Sequence, residues 1–446
     1  VLFFSNGEQL FVHSFEVFFM ERFTGLLGIF IILGLAFLLS NNRKAINKRL
    51  ILSGLGLQLA LAIFILKVPI GQQMFAAVGA GVEHLLGAAN KGAEFVFGIL
   101  VKPETLEKIF GAGSSFIFAL KVTPTIIFVS VLVSIAYHIG LMQRVVAVIA
   151  KGVYYLMGVS GSEALSNVAS AFVGQVEAQI MIKPYVPGMT NSELLASMAG
   201  SMACIAGGVM AVYISMGVPA PYLIAASLMA APAALVISKI VYPETEESET
   251  KGEVKLDIKK QNANLVDAIA HGASDGMKVS INVIAMLIGF IAVIALVDMM
   301  LASLGNFCAN TFGWSWQSVG INLATLSLKD ILGLVFSGFA FVMGVPSQDM
   351  VRVGSLLGTK FVINEFVAYS DMSGMLKTSL LSPKAVVIAS FALCGFANLS
   401  SIAIQIGGIG ELAPSRRTDL AKLGVRALIC GTLASYLSAT VAGMLM

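Results

Sequence analysis

Apolar runs of bilayer length recur along this chain, separated by short polar stretches. The plain ones are Leu26 to Leu39, Leu50 to Leu66, Phe116 to Met142 with Pro124 inside it, Tyr222 to Val241, Ile281 to Leu301 and Leu428 to Leu445. A crossing helix needs roughly 20 apolar residues, so each run with its neighbours predicts a transmembrane helix. Two further runs have the length but are interrupted. Gly200, Gly207 and Gly208 break up Leu194 to Met216, and Gly395-Phe396-Ala397-Asn398-Leu399-Ser400-Ser401 occupies the middle of Ala385 to Ile409. Polar side chains and loosened backbone at membrane depth persist only where protein or a water-filled cavity satisfies them. The Asn398 stretch is therefore either a broken helix lining a substrate site or a Ser/Asn-bearing helix–helix contact. Gly71 to Leu100, interrupted by Glu83, His84, Asn90, Lys91 and Glu94, suits a helix lying in the interface. Ala268 to Lys278 is also amphipathic.

Two segments are too polar for ordinary spans. Ser160 to Pro187 carries Glu163, Asn167, Ser170, Gln175, Glu177, Gln179 and Lys183, with Gly174 and Pro184 as breakers. Two short helical arms around a tip at Gly174-Gln175 would make a re-entrant hairpin. Beyond Gly344-Val345-Pro346, a stretch with Asp349, Arg352, Lys360, Asn364, Glu365 and Asp371 predicts a second, with its tip near Asn364-Glu365. Each hairpin is followed by an interrupted span and a plain one, over 160–241 and 347–445. An odd number of crossings separates the copies, so they face opposite ways, as in alternating-access carriers. The expected fold is an all-α polytopic membrane protein. It has eight transmembrane helices, two re-entrant hairpins, interfacial helices and an inverted repeat with two broken helices.

This pattern divides the chain into five parts. Residues 1–22, from Val1 through an apolar stretch interrupted by Asn6-Gly7-Glu8, are set aside as an N-terminal extension or tag remnant. Residues 23–150 are mainly scaffold helices with an interfacial helix, and 151–241 form the first transport repeat. Residues 242–346 comprise a cytoplasmic linker, an interfacial helix and a scaffold span, and 347–446 form the second transport repeat. Between Pro243 and Asn264, Glu244, Glu246, Glu247, Glu249, Glu253 and Asp257 lie beside four lysines, a mixed run that reads as a solvated linker.

Composition agrees. The chain is 57% hydrophobic and 12% charged, with mean hydropathy +0.89, where a soluble protein carries about 25% charged residues. The net charge of +3 does not point to nucleic acid, because basic residues such as Arg43, Lys44, Lys48 and Arg49 sit in short loops, where they set topology. That loop is expected to be cytoplasmic, with the N-terminus outside. Cys204, Cys308, Cys394 and Cys430 are scattered, and none of the four histidines accompanies a Ser or Cys nucleophile motif. An enzyme and an organic cofactor are not expected.

Glu177 and Glu365 are the residues that need explaining. An acidic side chain at the centre of a spanning helix costs roughly 2.5–3.5 kcal/mol on insertion scales. Each is either a hydrogen-bonding group or proton carrier for a substrate, or the partner of Lys183 or Lys360 in an ion pair. Asn398 and Ser401 are three apart and share a helical face. An amide and a hydroxyl beside the Glu365 carboxylate can grip a vicinal diol, and Phe396 offers an aromatic surface to a planar base.

Five runs in order resemble the concentrative nucleoside transporter family: Gly174-Gln175-Val176-Glu177-Ala178, Lys183-Pro184-Tyr185, Ile205-Ala206-Gly207-Gly208-Val209, Asn364-Glu365-Phe366-Val367-Ala368 and Phe391 through Ser401. The similarity runs from about Leu26 to the C-terminus and includes Ser40 to Asn47. It implies a multi-pass homotrimer in the lipid bilayer of a bacterial inner membrane, each protomer importing nucleosides by elevator-like movement. In that family the first hairpin binds the base, which maps to Gln175, Val176 and Glu177, with Val209 and Phe396. Ribose would be held by Glu365, Asn398 and Ser401.

Sodium-coupled members resemble one another in carrying Asn and Ser where this chain has Ser170 and Cys204, beside Val173 and Ile205. A hard cation wants oxygen ligands, and a thiol is a poor substitute. Val176 likewise replaces the usual hydroxyl residue beside Gln175. The expected coupling ion is thus H+ rather than Na+, with Glu177 or Glu365 as candidate proton carriers. Sodium coupling, a passive nucleoside channel and a gate-type membrane protein without coupled transport are the alternatives.

Overall fold

The computed structural model describes residues 24–110, 117–250, 262–313 and 322–446. Among them there is no strand. The helices of the first half are α1 (Thr24–Leu38), α2 (Lys48–Leu66), α3 (Pro69–Phe97), α4 (Pro103–Phe110), α5 (Phe118–His138), α6 (Leu141–Met157), α7 (Gly161–Ser170), α8 (Glu177–Ile180), α9 (Asn191–Ala203), α10 (Gly207–Ser215) and α11 (Ala220–Val241). The second half holds α12 (Leu265–Phe312), α13 (Leu328–Val342), α14 (Met350–Val362), α15 (Glu365–Lys377), α16 (Pro383–Leu393), α17 (Leu399–Leu412) and α18 (Arg417–Leu445). Six of the described helical segments are long and apolar enough to cross a membrane, and α1, α16 and α17 are shorter apolar helices.

The starts of the functional helices are written into the sequence. Ser160 with Glu163 and Thr190 with Glu193 form capping boxes at α7 and α9, satisfying backbone donors that a helix start leaves unpaired. Asn364 and Asn398 cap α15 and α17 with their side-chain oxygens, on the N–H groups of Val367 and Ser401. Both asparagines therefore begin helices inside apolar surroundings.

The core gathers around α11 and α18, which pack on each other and on α9 and α16. The inner length of α11 is rich in alanine (Ala225, Ala226, Ala230, Ala231, Ala233 and Ala234), all of it buried. Small side chains let helices approach closely, which is what drives association where lipid is as apolar as leucine. In α12 only 11% of the apolar segment is buried, against 89% in α11. The main partner of α12 is α5. A Cβ at Gly276 would come within 2.6 Å of the Ile127 Cα, and the Ser134 hydroxyl donates to the Ala268 carbonyl at 2.7 Å.

Four expectations are modified. Ala268 to Lys278 and Ile281 to Leu301 are one continuous helix, because Val279-Ser280 contains no breaker to end it. The second arm of the first hairpin is only the four-residue α8 followed by turns, since Pro184 and Pro187 cut it short. The interruption of the first broken helix falls at Cys204-Ile205-Ala206, directly before the expected Gly207-Gly208 and not at Gly200. Gly200 stays helical and makes room for a neighbour: a Cβ there would lie 1.9 Å from Asn167 Oδ1. Finally, the start of the linker is docked, not solvated. Thr250 is buried and donates to Glu193 at 2.9 Å, Ser248 bonds the same carboxylate, and Glu244 bonds Thr190 and Lys239 at 2.9 and 3.1 Å. The remainder of the linker, 251–261, and the N-terminal extension lie outside the described residues.

Candidate functional site

Two helix breaks meet at the centre of the site. The Phe396 N–H donates to the Cys204 carbonyl at 3.2 Å, so the gap between α16 and α17 satisfies the gap between α9 and α10. A Cβ at Gly395 would stand 2.8 Å from the carbonyls of both Met202 and Ala203, and glycine permits that approach. Broken backbone deep in an apolar core is thereby hydrogen-bonded by protein, as it must be.

Glu365 opens α15, one residue after the Ile363–Asn364 link that joins it to α14. Its side chain is held from two directions. The Asn398 amide donates to Oε2 at 3.0 Å, and the Tyr213 hydroxyl donates to Oε1 at 3.4 Å. Carboxylates are favoured at helix N-termini, where backbone N–H groups carry the positive end of the dipole. The Asn398 oxygen accepts from Ser400 Oγ at 2.6 Å, Ser401 N at 3.0 Å and Ser401 Oγ at 3.2 Å. Glu365, Asn398 and Ser401 are all buried. The structure therefore brings the three residues expected to grip a diol into one cluster.

Lys360 is fully buried, yet its ammonium goes to the Ala392 carbonyl at 2.8 Å and to Ser435 Oγ at 3.4 Å rather than into a salt bridge with Glu365. A cation there meets the C-terminal carbonyl end of α16, the negative end of its dipole. Among the described residues Glu177 forms no salt bridge with Lys183 either.

Gln175 lies in the α7–α8 link, half-buried, and accepts from Gln405 Nε2 at 3.5 Å. Val176 presses on Gly408, where a Cβ would be 2.5 Å from Cγ2. Glu177 starts α8 with its carboxylate folded back over Gly174, and it is exposed, apart from the Glu365 cluster. Val209, in the first turn of α10, and Phe396 are half-buried.

The chain matches the model for the Na+ dependent nucleoside transporter C-terminus over residues 222–443 and its N-terminus counterpart over 27–100. A nucleoside recognition (gate) model matches 119–220. An uncharacterized transporter of Haemophilus influenzae is 43% identical over 429 residues, covering 95% of this chain and 98% of the relative. The chain belongs to the concentrative nucleoside transporter family. Nucleoside permease NupC of Helicobacter pylori is 36% identical, over 94% of this chain and 96% of that one. The solved structure of CNTnw in an inward-facing substrate-bound state superposes with TM-score 0.88 at 41% identity, over 95% of this chain and 98% of that one. The family comprises transporters, not enzymes.

Two of the residues expected at a cation site, Ser170 and Cys204, are hydrogen-bonded within the protein. Ser170 Oγ donates to the Ser166 carbonyl at 2.7 Å and lies 3.1 Å from Ser201 Oγ. Gln179 donates to Ser201 Oγ at 2.6 Å and accepts from Ser197 Oγ at 2.5 Å. The Cys204 thiol donates to the Ser227 carbonyl at 3.7 Å. Val173 and Ile205 flank this network, both buried.

Sequence reasoning missed Tyr213, Gln405 and Gln179, and took Lys360 only as a partner for Glu365. Gln405 carried a usable signal: it falls four residues after Ser401, on the same helical face. Tyr213 carried none, because a tyrosine in an apolar run reads as packing.

Proposed function

We propose that this chain is a proton-coupled nucleoside importer of a bacterial inner membrane. The observation that carries the substrate reading is the buried Glu365–Asn398 pair at the junction of two half-helices, with Gln175 at the other end of the same α17 face. Ribose hydroxyls would donate to the Glu365 carboxylate and exchange hydrogen bonds with Asn398 and Ser401. Gln175, Val176 and Glu177 would contact the base, with Val209 and Phe396 packing against it. The relatives' names support nucleosides as the cargo.

Proton coupling is supported by the donor set at Ser170 and Cys204. The Cys204 thiol, a poor ligand for a hard cation, stands where sodium-coupled members carry a hydroxyl and points to the Ser227 carbonyl, so sodium would lose one side-chain oxygen there. Glu365 is the preferred proton carrier, and Glu177, exposed and nearer the hairpin tip, is the second. Sodium coupling is the rival, and the family model's description favours it.

Eight crossings follow if α1 and the broken α16–α17 pair are added to the six long segments. The hairpins α7–α8 and α14–α15 would enter the membrane and return, and 151–241 and 347–446 would be inverted copies. The thinly buried α12, with α5, suits a scaffold that contacts lipid and sister protomers in a homotrimer. The helices of 151–241 and 347–446 would move against it as an elevator.

Uridine uptake into proteoliposomes under separately imposed proton and sodium gradients tests this. Accumulation driven by an inward proton gradient without sodium is expected. Accumulation driven only by sodium would overturn the coupling, and equilibration without accumulation would make the protein a channel.

A further inference from the structure

The α17 helix carries a polar stripe longer than the sugar cluster needs. Asn398, Ser401 and Gln405 lie at i, i+3 and i+7 on one face, and Gly408 continues it. At ~1.5 Å rise per residue the stripe from Asn398 to Gln405 spans about 10 Å, comparable with a nucleoside measured from ribose hydroxyls to the far edge of its base. Glu365 stands at one end and Gln175 at the other.

Gln405 is fully buried and its amide is oriented by the backbone. Its Nε2 donates to the Met198 carbonyl at 3.1 Å as well as to Gln175 Oε1. Its Oε1 is buried without a partner, a costly state for an amide oxygen in an apolar core. A residue kept polar there, at that expense, has a use for its donor side. Gln175 turns its oxygen toward Gln405 at 3.5 Å, and its NH2 donates to no group among the described residues, which leaves the NH2 to face a ligand. Gly408 holds the register, since any side chain there would push Val176 and the hairpin tip off α17.

We propose that Gln405 is a base-selecting residue that acts through Gln175, fixing that amide so it offers N–H donors to the base. It is a positioning residue, and the proposal rests on the nucleoside reading given above. The selected substrates are nucleosides whose base turns a carbonyl toward Gln175. Uridine, with a carbonyl at C4, is favoured over cytidine, with an amino group there.

The test measures KM for uridine, cytidine and 3′-deoxyuridine in proteoliposomes of the full chain, for the native protein and for Gln405→Met. A second variant, Gln405→Asn, keeps an amide but is one methylene too short to reach Gln175. The native protein should prefer uridine to cytidine. Both variants should shrink that preference three- to tenfold while leaving the penalty for 3′-deoxyuridine unchanged, and Gln405→Met should add nothing in a Gln175→Ala background. An unmoved uridine-to-cytidine ratio, or parallel loss of the 3′-deoxy penalty, would overturn the proposal. A native protein that takes up no nucleoside would instead sink the function on which it rests.

Discussion

Phe396 and Cys204 are 192 positions apart in the chain, and a single 3.2 Å hydrogen bond between their backbones joins the two interrupted helices. Each break would otherwise leave unpaired N–H and C=O groups in an apolar core. The candidate site residues follow the break: Asn398, two residues after Phe396, caps the half-helix that begins at Leu399, and Glu365 is bonded to it.

Gly395→Ala is expected to disrupt this junction. The added methyl would meet two carbonyl oxygens at 2.8 Å, and overpacking of this kind costs about 1–3 kcal/mol. A clear drop in unfolding temperature in detergent, together with loss of uptake, is the expected result. An unchanged melting temperature would mean that the two breaks need not approach so closely.

Glu365→Gln keeps the shape but removes the charged acceptor. Hydrogen bonds to a charged group contribute about 1.5–3 kcal/mol, so uptake efficiency should fall roughly 10- to 150-fold. The difference between uridine and 3′-deoxyuridine should collapse at the same time. If the variant still discriminates against the 3′-deoxy substrate as the native protein does, the carboxylate is not the ribose ligand.

Tyr213→Phe is a finer probe. It deletes the hydroxyl on Glu365 but retains the stack on Tyr369 at 4.2 Å and the edge contact with Phe366. The expected outcome is a rise in uridine KM of a few-fold with no loss of thermal stability. A KM that does not move would make Tyr213 a packing residue only.

The Lys239–Glu163 ion pair ties α11 to the first turn of α7, and both side chains are buried. Removing one partner of such a pair costs about 3–5 kcal/mol, whereas replacing both with apolar residues is often neutral. Lys239→Met and Glu163→Leu should each destabilise the protein strongly, and the double variant should recover most of the loss. Lys239 also donates to Ser192 Oγ at 2.8 Å and pairs with Glu244 at 3.1 Å, and additive losses in the double variant would show that these contacts, not the pair, dominate.

The sequence by itself determined what lipid would not tolerate. Membrane class, most apolar helices of spanning length, the turn at Asn364 between α14 and α15 and the polar Glu365, Asn398 and Ser401 inside apolar runs were legible, because polar residues there are conspicuous and asparagine is a strong helix cap. Tertiary structure decided whatever depends on long-range partners. It put the first break at Cys204-Ile205-Ala206, just before Gly207-Gly208, and kept Gly200 helical to admit Asn167, and it docked the start of the charged linker on Glu193 and Lys239. It also aimed Lys360 at a helix end instead of a carboxylate and assigned Gln405 to Gln175, 230 positions away. Periodicity and composition report each segment's own preference for lipid or water. Which two polar groups satisfy each other is set only when the helices pack.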